Sequence, residues 1–372
     1  MTYNFKKEQL TSLERIQLYS NGKEVDRIPY KLNLGESIVP HYGYSNKEYL
    51  FSSDIMVDVT EKVLNEYGGD GLGFTLDTRM FSEAMGSQLE YKEYGYSYIT
   101  QHKIKNIEDI KKLEPINTSK VGRFKIVLEA LERLLERYAK EQPFSISVPC
   151  PANCALGIIK LEDLLRIMIK KSEIFFNLMD YCFDIVIDVV KMFYQYTSVP
   201  VNIFEVTASA QVMGEKQYLK YIHPYVVKMI HSITTITGTM PSFGGCGSNK
   251  YIWEHLTDVG IRSFGIDSSD DIGVAKTKLG NSSSISGNID PVLLLTGNRE
   301  LINREMYRCI KTASDNPCGY SIALGGAPAS FGSSQENLKA FVHYAKKYGA
   351  IAKKGRLSEG IMNAQLPDKE NL

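Results

Sequence analysis

The sequence predicts an α/β fold, a single (β/α)8 barrel of the TIM type spanning residues 1–372. Three observations predict it. Eight short apolar runs recur along the chain, each bounded by Gly, Pro, Asn or Asp. Longer amphipathic stretches separate them, the alternation of a parallel sheet wrapped by helices. Asp77, Cys150, Glu205, Cys246 and Asp267 fall at or just past the C-terminal ends of these runs. In a barrel of this kind the C-terminal ends of the strands carry the active site.

The first run, "RIPYKLNLG" (27–35), reads as a strand and loop, and "GDGLGFTLD" (69–77) as a second strand ending on an acid. "FSISVPCP" (144–151) is stopped by its prolines, and "VNIFEV" (201–206) carries Glu205 inside an apolar run. "TGTMPSF" leads into "GGCG". "IRSFGID" (261–267), "SSISGNID" (283–290) and "CGYSIALGG" (318–326) complete the eight. Helical patterns fall at 160–171, 217–233, 251–259, 271–279, 298–312 and 335–347. Spacing widens at 78–106, which predicts extra helices over the barrel mouth in the N-terminal half.

Lys+Arg and Asp+Glu are both 43, so the formal net charge is zero. That balance gives no electrostatic reason to expect nucleic acid or an anionic membrane as partner. The opening residues lack an apolar run, so no signal peptide is expected. No apolar stretch reaches the length of a membrane span. The richest, "FFNLMDYCFDIVIDVVKMFYQY", is interrupted by Asp180, Asp184, Asp188 and Lys191 and reads as a buried amphipathic helix. Six scattered cysteines favour reduced thiols in a cytoplasm over a disulfide framework.

Several side chains are candidates for chemistry. Asp77 can orient a substrate or hold a proton. Its alternative is a helix cap or a partner for Arg79. Glu205 inside a strand needs a partner or a cavity, because a buried unpaired charge is costly. Cys246, among glycines, is a candidate metal ligand, against a small buried filler. None of the six histidines lies within five residues of it, and zinc takes three or four ligands. Cys150 and Cys154 form a second thiol cluster. Tyr42 and Tyr44 are candidates to line the mouth and bind substrate, together with Asp267.

Several segments together resemble the uroporphyrinogen decarboxylase superfamily. They include "TSLERIQLYSNGKEVDRIPY", "YGGDGLGFTLDTRMFSEAMGSQLEY", "FEVTASAQVMGEKQYLKYIHPY" and "SSQENLKAFVHYA". The most specific is "DVGIRSFGIDSSDDIGVAKTKLGNSSSISGNIDP", closing on G-N-I-D-P. The resemblance implies the barrel fold and two kinds of activity. Its decarboxylases act on uroporphyrinogen without cofactor and open with an arginine-rich R-Q-A-G-R segment. Here that region reads "KLNLGESIVPHYGYS", without arginine. A polyanionic substrate needs cationic partners. Their tyrosine after the third strand and late G-H-G histidine are also missing.

The other branch, corrinoid-linked methyltransferases, is the nearer. It places zinc on an H-x-C-G motif and a later G-C cysteine. "GGCG" keeps Cys246, puts Gly244 at the histidine, and leaves Gly326 or Ala327 at the second cysteine. Two of three zinc ligands are therefore absent. The resemblance implies methyl transfer between a small methylated or halogenated one-carbon substrate and the cobalt of a corrinoid protein. The chain has no D-x-H-x-x-G segment, so the corrinoid would sit on a separate partner. Asp77 and Glu205 would be catalytic, and Cys246 a metal ligand if zinc is bound. The alternatives are a decarboxylase-like lyase acting on a tetrapyrrole or a non-catalytic barrel that binds a tetrapyrrole or corrinoid. A homodimer is expected by analogy with the superfamily.

Overall fold

The computed structural model describes residues 8–352. Its strands are β1 (Tyr30–Lys31), β2 (Leu72–Thr75), β3 (Gln88–Glu90), β4 (Tyr98–Gln101) and β5 (Phe144–Pro149). They continue with β6 (Val201–Phe204), β7 (Phe243–Gly244), β8 (Ser263–Gly265), β9 (Ser284–Ser286) and β10 (Tyr320–Ala323). Eight of these pair in parallel in the order β1-β10-β9-β8-β7-β6-β5-β2. The two ends meet at Asp70 and Tyr30. The Asp70 backbone N–H donates to Tyr30 O at 2.8 Å, and Tyr30 N–H donates to Asp70 Oδ2 at 2.9 Å. The sheet thus curls into the (β/α)8 barrel that the alternation predicts.

Alternation along each strand sorts its side chains by face. Tyr30, Ile146, Ile203, Phe243, Phe264, Ile285 and Ile322 share one register level or face and are buried against the helices. The residues between them point into the lumen and are small or polar except at the upper end of β5 and β6, where Pro149 and Phe204 stand. Barrels of this class ordinarily fill the lumen with branched apolar side chains. Here the apolar layer lies outside the sheet, between strands and helices.

The long helix is Ser172–Thr197, as its pattern predicts. Phe175, Leu178, Met179, Cys182, Val186, Val189, Val190 and Phe193 recur at helical spacing and are buried. Asp180, Asp184, Asp188 and Lys191 stand on its exposed face. No helix among the described residues is long and apolar enough to cross a membrane.

The excursion at 78–106 departs from expectation. It holds one helix, Thr78–Ala84, followed by the antiparallel hairpin β3–β4. Alternating "QLE" and "YITQ" around a Gly-containing turn satisfy a two-stranded ladder better than a helix face. The extra helical turns lie earlier, after β1, at Gly35–Tyr42 and Asn46–Leu50. At the hairpin, Tyr96 packs edge-on against Phe331 with ring centroids 4.5 Å apart, joining this excursion to the segment after β10.

Candidate functional site

The ends of β6, β7, β8 and β10 converge. After β7 the chain bends at Cys246 and Gly247, the latter with φ +77°, and the Cys246 side of the bend is open to solvent. Its thiol donates to Gly326 O at 3.2 Å. Protein crowds the cysteine on most sides although its surface is reached by solvent. That crowding, and then the Asp267 carboxylate, hold its thiol above the usual range.

Asp267 follows β8 and is nearly enclosed. Its Oδ1 accepts from the Ser269 N–H at 2.8 Å and the Ser269 hydroxyl at 2.6 Å. Oδ2 occupies the space beside Gly326, which has φ +78° and where a Cβ would lie 1.8 Å from that oxygen. A side chain at Gly326 is excluded by this carboxylate. At Gly244, by contrast, an added Cβ would meet nothing within 4 Å.

The turns are braced from behind. Asp270 accepts from the Ser248 hydroxyl at 2.6 Å and the Asn249 N–H at 3.0 Å. Asn288, after β9, donates through Nδ2 to Asp267 O at 3.1 Å and Asp270 O at 2.6 Å. The asparagine of the G-N-I-D-P stretch thereby joins the β8 turn to β9. Gly287, with φ +124°, passes so close to Ile266 O that a Cβ would sit 2.6 Å away. A larger residue there would separate the two strands.

Glu205, after β6, is wholly buried. Oε1 accepts from the Thr207 N–H at 2.8 Å and its hydroxyl at 2.6 Å, while Oε2 has no hydrogen-bond partner. Loss of water raises its pKa to about 7, and the Thr207 bonds oppose the rise. Asn249 Nδ2 is also buried without a partner, and its Oδ1 accepts from Trp253 Nε1 at 2.8 Å. Cys150 lies near Glu205, fully buried, its thiol pushed well up by burial and then by that carboxylate. Cys154 turns instead toward Cys182. The two thiols of "CPANC" therefore face different neighbours.

Asp77 stands apart from this group. It caps the helix Thr78–Ala84, with Oδ1 accepting from the Arg79 and Met80 N–H groups at 2.8 and 3.1 Å. Oδ2 pairs with Arg79 Nη2 at 2.6 Å, and the same nitrogen reaches Glu36 Oε1 at 2.5 Å. Both alternatives weighed for Asp77, cap and ion pair, are realised together. Tyr42 and Tyr44 are not brought into the group either. The Tyr42 hydroxyl donates to Glu66 at 3.1 Å, and Tyr44 engages Asp58, with the Lys62 ammonium 5.2 Å from its ring centroid. All three partners lie on the helix Ser53–Tyr67.

The residues present do not fit a zinc ion. Among the described residues, no group of three His, Cys, Asp or Glu side chains is arranged to hold a metal. Cys246 and Asp267 approach one another, Gly244 offers no donor, and Cys150, Cys154 and Asp77 are committed elsewhere. His255 lies on the helix Trp253–Asp258 and meets Glu215 at 2.8 Å.

The family model for uroporphyrinogen decarboxylase (URO-D) matches residues 11–348. The chain belongs to the uroporphyrinogen decarboxylase family. Within it, the chain is similar to methylcobamide:CoM methyltransferase MtbA of Methanosarcina acetivorans, 29% identical over 198 residues. That match covers 53% of this chain and 57% of the relative. It is also similar to a methylated-thiol–coenzyme M methyltransferase of Methanosarcina mazei, 22% identical, covering 91% of this chain and 90% of the relative. A solved methyltransferase from Methanosarcina mazei superposes with TM-score 0.78 at 17% identity, covering 91% of this chain and 99% of that one, and shows the same fold.

Sequence reading missed Arg79–Glu36, Asn249, Asp270 and Lys31, and marked Asn288 only as part of the G-N-I-D-P stretch. Only Lys31 left a direct signal: it alternates with Tyr30 and Leu32 in the first strand, a charge on the face opposite two apolar residues.

Proposed function

We propose that this chain moves a methyl group between a small one-carbon substrate and the cobalt of a separate corrinoid protein. The observation that carries the reading is the exposed Cys246 thiol beside the Asp267 carboxylate at the strand ends, in a family whose similar members include enzymes named methyltransferases. The corrinoid, when bound, supplies a cobalt that accepts or donates the methyl group.

This chain's residues then hold and orient the substrate. Asp267 Oδ2 is the carboxylate oxygen at the mouth for which no hydrogen bond holds it to the backbone, unlike Oδ1. When the methyl acceptor is a thiol, it accepts the hydrogen bond, or the proton that the thiol releases on methylation. Glu205 is enclosed and acts by positioning: Oε1 holds Thr207 by two hydrogen bonds, and Oε2, with the carboxyl pKa raised to about 7, is the oxygen that carries the proton near neutrality. Asp77 holds Arg79 in place at the opposite side of the mouth. Arg79 is already shared between Asp77 and Glu36, which leaves that cation poorly disposed to grip a polyanionic tetrapyrrole. No step is assigned to zinc.

The test supplies a methyl donor, such as a methylated thiol or a methyl halide, with and without a reduced corrinoid protein. Donor consumption only in the presence of that protein is expected. Carbon dioxide release from uroporphyrinogen with no partner would replace this reading with a decarboxylase. The homodimer belongs to the same proposal, and sedimentation velocity checks it.

A further inference from the structure

β1 places one charged side chain on the lumen face. Lys31 pairs in register with Ala323 of β10, a lumen position, while Tyr30 and Ile322 face the helices. Protein crowds the lysine enough that loss of water lowers its pKa, and no acid contributes to that shift. Its surface is nevertheless exposed. A lysine both crowded and exposed projects into a hollow.

The strands supply that hollow. The lumen side of β2 carries Gly73 and Thr75, both exposed. Ser145 and Ser147 on β5, Ser286 on β9 and Ser321 on β10 follow around the wall, each partly open. Their hydroxyls donate and accept but carry no charge. Among the described residues Lys31 has neither a hydrogen bond nor an ion pair, and no carboxylate shares its space.

An ammonium partly withdrawn from bulk water and without a counter-charge carries some desolvation cost. The sequence keeps it where branched apolar residues would ordinarily pack. An anion entering the lumen would offset that cost, and serine and threonine hydroxyls would complete its hydrogen bonds.

We propose that the barrel lumen is an anion site, in which Lys31 receives the carboxylate, sulfonate or phosphate group of a small ligand and the lumen hydroxyls complete its shell. The site is independent of Cys246 and Asp267 and does not rest on methyl transfer. A substrate bound at the mouth can place such a group into it.

The test is isothermal titration calorimetry on the full chain with acetate, ethanesulfonate and inorganic phosphate, and with acetamide as the uncharged control. At least one anion binds more tightly than acetamide. Lys31→Met weakens that anion by about tenfold or more, the effect of losing a charge-assisted hydrogen bond, while Lys31→Arg retains most of the affinity. Which of the three anions binds best distinguishes the headgroups. Thermal unfolding of the unmodified chain supplies a second readout: the binding anion raises the midpoint and acetamide does not. Equal binding of anions and acetamide, or an unchanged affinity in a folded Lys31→Met variant, would overturn the site. So would borohydride trapping of propanal on Lys31 in a chain that binds none of the anions, which would make the lysine a carbonyl nucleophile.

Discussion

Gly326 and Asp267 share one space at the barrel mouth: a Cβ on the glycine would lie 1.8 Å from Asp267 Oδ2. The glycine's φ of +78° also belongs to the left-handed region. Gly326→Ala must therefore strain the backbone and push the carboxylate away from Cys246. Left-handed strain and overpacking together are expected to cost about 2 to 4 kcal/mol of stability. Urea unfolding reads the loss, and methyl transfer should fall with it. An unchanged midpoint would mean that Asp267 swings aside freely.

Glu205 makes stability depend on pH in a defined direction. Its pKa rises from 4.5 to about 7 in the folded chain, so the folded state holds a proton that the unfolded state has released between those values. Stability from this group is therefore fully present below about pH 4.5 and is lost as pH rises through about 7. Glu205→Gln removes the titration. At pH 8 the variant should exceed the parent by roughly 3 to 4 kcal/mol, the rise from 4.5 to about 7 being worth about 1.4 kcal/mol per unit. At pH 5 most of that difference disappears. Denaturant unfolding at the two values decides it, and a constant difference would contradict a buried protonated carboxyl.

Asp70 closes the barrel and anchors its charges. It lies between Arg15 and Arg27, with Arg15 Nη1 donating to Oδ1 at 2.5 Å, and it clasps Tyr30 in both directions. Both Arg15 and Asp70 have fully buried side chains. Asp70→Ala leaves two guanidinium groups short of a partner and opens the β1–β2 junction. A loss of about 3 to 5 kcal/mol is expected, read from the thermal or urea midpoint. A loss below about 1 kcal/mol, the scale of an exposed pair, would show that Asp26 and Glu8 take over.

Much of the fold was legible because its signals are local. All eight barrel strands fall inside the runs that Gly, Pro and alternation mark. Their ends were less legible: the first run spans nine residues, yet β1 holds only Tyr30 and Lys31, since the ladder ends where Gly35–Tyr42 begins its helical turns. The hairpin at 78–106 was missed because an aromatic, charged stretch between two longer elements carries no helical or strand period of sufficient length. The site was legible only in part. Cys246 and Asp267 are brought together as strand-end residues, but Asp77 is drawn away by Arg79, two residues on. Tyr42 and Tyr44 are drawn to a helix that begins nine residues after Tyr44. No periodicity encodes which of several acids an arginine will choose.

Asp77 combines a cap with an ion pair, and the two can be separated. Asparagine caps a helix about as well as aspartate, so Asp77→Asn keeps Oδ1 on the Arg79 and Met80 N–H groups. It loses only the pair to Arg79 Nη2, a partly exposed contact worth about 1 kcal/mol or less. Stability should change little. Turnover should fall by about tenfold or more if a barrier of some 1.4 kcal/mol depends on Arg79 staying at the mouth. Urea unfolding and initial rates of methyl transfer, measured on the same preparation, separate the two. Unchanged turnover would leave Asp77 a structural residue.

Metal content tests the mouth most directly. Cys246 and Asp267 supply two donors at most, and Gly326 cannot become a third because Asp267 already fills its side-chain space. Zinc sites need three or four protein ligands. Protein purified without tag or chelator is therefore expected to carry well below one zinc per chain by elemental mass spectrometry, and Cys246→Ala should not lower that figure. Gly244 is where the outcome could be changed, since an added side chain there meets open space. Gly244→His would set an imidazole beside Cys246 and Asp267, and zinc uptake in that variant alone would show that the missing histidine, not the fold, prevents binding. One zinc per parent chain, lost in Cys246→Ala, would instead mean that side chains of the mouth rearrange around a metal, and zinc activation of a thiol substrate would enter the mechanism.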